Sequence, residues 1–350
     1  KVVFGACTPL SKIQHECGEL SKDPSLSRTL MPIHDMLRWF ASSQIRNVAC
    51  LGGNLVTASP ISDMNPMLAS MGAKLILSRL EGDGTISRRS KYVAEFFLNY
   101  RTVDLESTEI VEKIEVPILA NVFEYVKPFK QARRREDDIS IVTSGMHIRL
   151  VPNGDNYTIE HVAIAFGGMA PKTVMATETM KFLAGAVFSR ETFLTAQDIL
   201  MKELILPENV PGGQAAYRMT LAASFLHKFF IATCVELKKD VQRISEDPTI
   251  FPLATLPLPV VPDLSEDEIS GMYNFLSEEK PSFSGSQAYP EPKAAKGLEE
   301  SILPNVDGVR KRGAADAVGI STVHQSGARH CTGDAQYTDD IPPPPGTLHG

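Results

Sequence analysis

Leu51–Pro66, LGGNLVTASPISDMNP, places two glycines and an asparagine just ahead of Thr57, Ser59, Ser62, Asp63 and Asn65. Turns are polar, but few carry so many short hydrogen-bonding side chains in one run. Glycine has no Cβ, so at Gly52 and Gly53 a flat or phosphate-bearing ligand can approach the main chain and accept hydrogen bonds from exposed N–H groups. Asn54, Thr57, Ser62 and Asp63 then offer partners for hydroxyl and phosphate oxygens. The competing reading is a glycine turn whose Asn and Ser residues cap the next segment. Spacing alone leaves both open. Neither GxGxxG nor GxxxxGK[ST] occurs in the chain, which removes the doubly wound dinucleotide fingerprint and the P-loop from consideration.

Outward from this run, residues 1–120 mix helical and strand patterns. VVFGA (2–6) is an apolar start, MPIHDMLRWFASSQ (31–44) reads as a helix, and AKLILS (73–78) and EIVEKIEV (109–116) read as strands. In residues 121–240, ISIVTSGMHIRLV and IEHVAIAFGGM form neighbouring strands joined through the turn PNGDN. Helices follow at TETMKFLAGA and SRETFLTAQDILMKEL, then one long helix near Ala215–Lys239, where Ala222, Phe225, Leu226, Phe229, Phe230 and Thr233 recur at spacings of three and four. That stripe predicts a helix packed on a sheet. In residues 241–310 prolines such as Pro248, Pro252, Pro257, Pro259 and Pro262 break any regular pattern, so this is an extended connector with room for one short helix. Residues 311–350, with STVHQSGARHCTGDAQYTDDIPPPP, begin a further unit. The fold class is α+β.

Composition narrows the function. With 350 residues, 43% hydrophobic and 22% charged, a sizeable core is expected. A net charge of -7 gives no general attraction to nucleic acid or anionic lipid. No apolar run reaches the roughly 18 residues of a spanning segment, so no membrane partner is expected. Cys7, Cys17, Cys50, Cys234 and Cys331 are scattered, which argues against a disulfide framework or a metal site built from this chain, and for a reducing, cytoplasmic home. Likewise His324, His330 and Cys331 match no ligand spacing, while His147 and His161 sit in strand-like runs as structural residues. The start at Lys1 and the end in PPPPGTLHG suggest part of a longer polypeptide.

A second constellation is FKQARRREDDISIVTSGM, Phe129–Met146, in which three arginines meet three acids at Arg133–Asp138. Its simplest reading is a solvated charged loop. Beside a redox ring, the same fixed charges and Lys130 would shift the ring's potential, since positive charge favours the reduced anion.

FGACTPLS, the run RWFASSQIRNVACLGGNLVTASPISDMNPMLASMGAKL, FKQARRREDDISIVTSGM, FGGMAPKT, PGGQAAYRMTLAASFLHKF and HQSGARHCTGDAQYTDDIP occur in this order and cover most of the chain. Together they resemble the molybdenum hydroxylases, in their xanthine-oxidising branch. The resemblance implies that residues 1–120 are the later part of a PCMH-type FAD-binding domain and 121–240 a domain like the C-terminal domain of the CO dehydrogenase flavoprotein. It makes 241–310 the proline-rich linker and 311–350 the truncated start of the molybdopterin domain. It further implies a homodimer that oxidises purines at molybdenum and passes electrons through [2Fe-2S] clusters and FAD to NAD, in the cytoplasm or peroxisome.

For individual residues the resemblance implies that Gly53 and Asn54 meet FAD phosphates and that Cys50 stands where serine is usual, weakening one hydrogen bond because a thiol donates poorly. It also matches Thr57, Ser62, Asp63 and Lys130 to FAD-binding positions, Phe40 to the aromatic on the adenine, and Val111 to a position near the flavin. Arg135 and Asp137 fall in the loop that helps decide whether NAD or oxygen takes the electrons. No catalytic or metal-ligating residue is expected in this stretch. Two other readings stay open: an aldehyde-oxidising relative of the same architecture, which TASPISDMNP and RREDDI disfavour, and a non-catalytic module that has lost FAD.

Overall fold

The computed structural model describes residues 1–134, 137–247 and 258–272. Strand β1 (Val2–Gly5) leads into α1 (Leu10–Leu20) and α2 (Pro24–Arg38), then three short helices, α3 (Ser43–Val48), α4 (Leu51–Thr57) and α5 (Met64–Ser70). Next come β2 (Lys74–Leu80), β3 (Ile86–Tyr92), the single turn α6 (Val93–Phe96), β4 (Phe97–Asn99), β5 (Thr102–Val103) and β6 (Glu109–Val116). A meander follows of β7 (Glu124–Ala132), β8 (Ser140–Asn153) and β9 (Asn156–Gly167), with β10 (Val174–Met175). The chain then turns helical in α7 (Thr177–Leu183), α8 (Arg190–Glu203), α9 (Ala215–Glu246) and α10 (Glu266–Met272).

Two four-stranded sheets result, in the orders β1-β6-β2-β3 and β10-β9-β8-β7, with β4 and β5 as a separate pair. Every pairing among the described residues is antiparallel, in keeping with an α+β chain. The strands expected at 73–78 and 109–116 are neighbours, and the expected hairpin pairs β8 with β9 through Asn153 and Asn156 around Gly154.

Local chemistry sets the helix boundaries. Asp23 caps α2 by accepting from the Ser25 N–H at 2.9 Å, with Pro24 at the first helical position, where its missing N–H costs nothing. The helix predicted over 31–44 is in fact broken. It stops at Arg38, Ala41 takes φ 44, and α3 restarts behind a Ser42 cap. In α9 the predicted stripe is buried: Phe225, Leu226, Phe229 and Phe230 join Met146 and Phe166 in the core of the second sheet. By length and composition α9 could cross a bilayer, against the expectation that no run is long enough, yet its apolar face is spent on that core. It also continues to Glu246, past the expected boundary at 240.

The described part of the expected connector is docked rather than free. Leu258, Val261 and Leu264 pack on the second core, and Arg190 pairs with Glu268 of α10 and donates to the Asp263 carbonyl at 2.8 Å. The expected further unit at 311–350, with His324, His330 and Cys331, lies outside the described residues.

Helix α5 is buried along its whole length and lies on the second sheet. Full burial of Met64, Met67 and Leu68 contributes about 1.5–3 kcal/mol each. Gly145 of β8 makes this approach possible, because a Cβ there would run into the Met67 backbone and sit 2.6 Å from the Pro66 carbonyl oxygen. At the far end of α5, the buried His147 ring lies 3.3 Å from the Ser70 carbonyl oxygen through Nδ1 and 2.9 Å from Glu124 Oε1 through Nε2. Burial alone would raise the Glu124 carboxyl, but hydrogen bonds from His147 and Asn121 outweigh it and hold it at about 2. Arg28 of α2 and Tyr125 of β7 both meet Asp240 of α9 at 2.8 Å, so the first helices are tied to the last long one.

Gly145→Ala should therefore destabilise the protein by about 1–3 kcal/mol through overpacking. Gly82→Ala, where the added methyl meets nothing within 4 Å, should leave the thermal midpoint unchanged. Equal midpoints for the two variants would contradict the packing of α5.

Candidate functional site

The glycine run is a helix, not a turn. Cys50 caps α4, and its sulfur accepts from the Gly53 N–H at 3.4 Å, so the thiol acts here as an acceptor rather than as the poor donor expected. Thr57 Oγ1 donates to the Gly53 carbonyl at 2.8 Å, and Ala58 ends the helix at φ 47. The two glycines also have different reasons to be there. Gly52 is buried against the end of β1: its N–H donates to the Ala6 carbonyl at 2.9 Å, and a Cβ would lie 2.8 Å from Ala6 Cβ. Its lack of a side chain serves the protein's own packing, which corrects the expectation that both glycines face a ligand. Gly53 is exposed, and a Cβ there would meet only the Cys50 sulfur, at 3.2 Å.

Beyond α4 the chain folds back on itself through Ser59–Asp63. Ser62 Oγ donates to Asn54 Oδ1 at 2.9 Å, and the Ser62 carbonyl accepts from Thr143 of β8 at 3.0 Å. Asp63 precedes α5 but does not cap it. Its carboxylate turns to the Lys130 ammonium at 2.7 Å and to the Ser140 hydroxyl. Lys130 also donates to the Trp39 carbonyl at 2.6 Å, and the pair is nearly closed to solvent, with side chains 8% and 9% exposed. Burial pushes the Asp63 carboxyl up, against the pull of the Lys130 ammonium and the Ser140 hydroxyl. An ammonium has three N–H groups, so these two bonds leave Lys130 one for a ligand.

Phe40 and Val111 are half-buried at the edge of the first core, Val111 within β6 opposite Leu77. The Phe40 and Ala41 carbonyls both accept from Arg46 Nη1 at 2.8 Å, which fixes the break between α2 and α3. Burial lowers the Arg46 pKa, and the field of Asp137 opposes that shift. Asp137 is exposed at φ 50. Arg134 clasps this loop, its N–H donating to Asp138 at 2.7 Å and its Nη2 to the Asp137 carbonyl at 2.9 Å. Arg135 lies outside the described residues.

The structure thus gathers Cys50, Gly53, Asn54, Thr57 and Ser62 around α4, ties Asp63 to Lys130, and sets the Phe40 backbone against Arg46. Sequence reasoning missed Trp39, Arg46, Ser140 and Thr143. Trp39 and Ser140 lie inside stretches already quoted, but nothing in their spacing shows that they meet Lys130 and Asp63.

Two features suit an amphipathic cofactor. Val48 and Ile45 of α3 and Val56 of α4 are 81%, 47% and 36% exposed, where a solvated turn would be polar. Trp39 Nε1 is a buried donor with no partner among the described residues. A ligand joining a flat ring to a polar phosphate chain fits that mixture. What the described residues offer it is binding and orientation.

The model of the FAD binding domain in molybdopterin dehydrogenase matches residues 1–119, and that of the CO dehydrogenase flavoprotein C-terminal domain matches residues 127–233. The chain is 36% identical over 315 residues to xanthine dehydrogenase 1 of Arabidopsis thaliana, covering 90% of the chain and 20% of that protein. It is 35% identical to xanthine dehydrogenase/oxidase of Gallus gallus over 97% of the chain and 22% of the relative. A nicotinate hydroxylase of Emericella nidulans is also 35% identical, over 99% of the chain and 22% of its own length. The chain thus spans about a fifth of the curated relatives it matches. Among solved structures, carbon monoxide dehydrogenase from Hydrogenophaga pseudoflava superposes with a TM-score of 0.53 at 24% identity, covering 64% of this chain and 71% of that one, and so supports the fold.

Lys130→Met should leave Asp63 buried without its counter-charge and cost about 3–5 kcal/mol. Adding Asp63→Asn should recover part of that loss in the same thermal melt, because the stranded charge is then gone. A single variant as stable as wild type would mean that the pair does not hold the loop.

Proposed function

The chain belongs to the molybdenum hydroxylase family, of which it carries the FAD-binding domain and the flavoprotein C-terminal domain, and we propose that it is the flavin-holding part of a xanthine dehydrogenase. FAD bound here supplies a carrier between electrons released by purine hydroxylation at molybdenum, received through [2Fe-2S] clusters, and NAD. The chain's own residues bind and orient it. Gly53 gives close access to the main chain, and Asn54 and Thr57 flank it on the same short helix. Lys130, already fixed by Asp63 and Trp39, keeps one N–H and its positive charge available beside the loop. Asp137, exposed on the charged loop, sets the local field where the final acceptor arrives.

The single observation that carries this reading is the exposed Gly53 backbone on α4, with uncovered apolar side chains on α3 and α4, within the stretch that the FAD-binding model matches. A cytoplasmic homodimer belongs to the same proposal. A nicotinate-oxidising enzyme is the second reading, favoured by 35% identity over 99% of the chain. An aldehyde oxidase would use the flavin part in the same way.

Purified full-length protein should show flavin absorption near ~450 nm. Colourless protein without extractable FAD would instead support a module that has lost its cofactor. Turnover of xanthine, nicotinate and aldehydes, compared side by side, separates the enzyme readings. Asp137→Ala should change the partition of electrons between NAD and oxygen more than it changes purine oxidation. Equal loss of both would assign Asp137 to folding.

A further inference from the structure

Arg218 lies in the first turn of α9, far along the chain from the flavin loop, and its guanidinium has an unusual set of partners. Nη1 donates to the Gly168 carbonyl at 3.2 Å and Nη2 to the Pro211 carbonyl at 3.0 Å. Nε is buried without a partner, and no carboxylate pairs with this charge among the described residues. Burial accordingly lowers its pKa. A half-buried charge with only carbonyl oxygens as partners contributes little net electrostatic stability. What it does provide is a planar fork that fixes two backbone carbonyls relative to each other.

One of those carbonyls belongs to the residue that holds the flavin loop. Gly168 adopts φ 83, a side chain there would collide with the Ile141 carbonyl oxygen, and its N–H donates to the Pro60 carbonyl at 2.7 Å. Gly167 lies against the same place, where a Cβ would be 2.9 Å from the Pro60 oxygen. The loop Ser59–Asp63 is thus held at Pro60 by Gly168, at Ser62 by Thr143, and at Asp63 by Lys130 and Ser140. We propose that Arg218 is a positioning residue for the flavin loop, acting through the Gly168 peptide to fix Pro60 and, through it, Ser62 and Asp63. This rests on the flavin reading above, and it makes the start of the long helix in the second domain part of the cofactor site in the first.

The test uses the full-length holoenzyme with Arg218→Met, Arg218→Lys and Gly168→Ala. FAD release after dilution into flavin-free buffer is followed by flavin fluorescence, and the thermal midpoint of the FAD-stripped protein is measured beside it. Arg218→Met should release FAD about tenfold faster, as loss of a hydrogen-bonded anchor worth one decade implies. Arg218→Lys, reaching one carbonyl, should fall between that and wild type, and Gly168→Ala, whose side chain also collides with the Ile141 carbonyl, should release FAD at least as fast as Arg218→Met and lower the stripped protein's midpoint as well. The midpoint of the stripped protein should move little in the arginine variants. Wild-type release rates in Arg218→Met would overturn the inference, as would faster release in the arginine variants matched by an equal loss of stability without FAD. Should Arg218→Met fail to fold, the release rate of Arg218→Lys decides. Wild-type enzyme without FAD would sink the flavin reading itself, whereas FAD-bearing wild type with unaltered variants sinks only the role of Arg218.

Discussion

The site depends on one buried ion pair. Lys130 on β7 and Asp63 ahead of α5 have given up water for each other, and such an exchange is sustained only when the remaining donors and acceptors are filled. Here the Trp39 carbonyl and the Ser140 hydroxyl fill them. Four parts of the chain therefore meet at one point: the end of α2, the loop before α5, β7 and the start of β8. Because a buried charge tolerates little displacement, the loop has one position, and the residues of α4 bonded to it inherit that position.

Close approach of backbones extends this control. Glycines at 52 and 145 let α4 settle on the end of β1 and α5 on β8, so the glycine-rich segment is wedged between the two sheets. Further out, Arg28 and Tyr125 converge on Asp240, joining α2 to α9 behind the second sheet. The site is a junction of two domains more than a property of either.

Much of the architecture was legible from residue patterns. The hairpin around Gly154 declared itself because alternating apolar runs flank a short polar turn, and α9 because its aromatic residues recur at helical spacing. The glycine run did not read as helix, since two adjacent glycines are poor helix formers and the cap is a cysteine. The break at Ala41 was hidden because alanine usually favours helix, whereas here Arg46 ties the Phe40 and Ala41 carbonyls into a left-handed bend. As for the site, its composition was visible and its wiring was not. Thr57, Asn54 and Ser62 form part of their bonds with each other or with the main chain, and the partners of Asp63 lie in distant segments.

The register of the first sheet bears on how the polypeptide emerges from the ribosome. Val2 of β1 pairs with Val116 of β6, so among the described residues the partner of this strand is made more than a hundred residues after it. At about 5–20 residues per second, that delay is on the order of ten seconds. The β7–β8–β9 meander, whose neighbours follow one another directly, closes almost as soon as it appears. Closing the first sheet is thus a non-local event that spans the intervening helices and strands, whereas the second sheet grows by local additions.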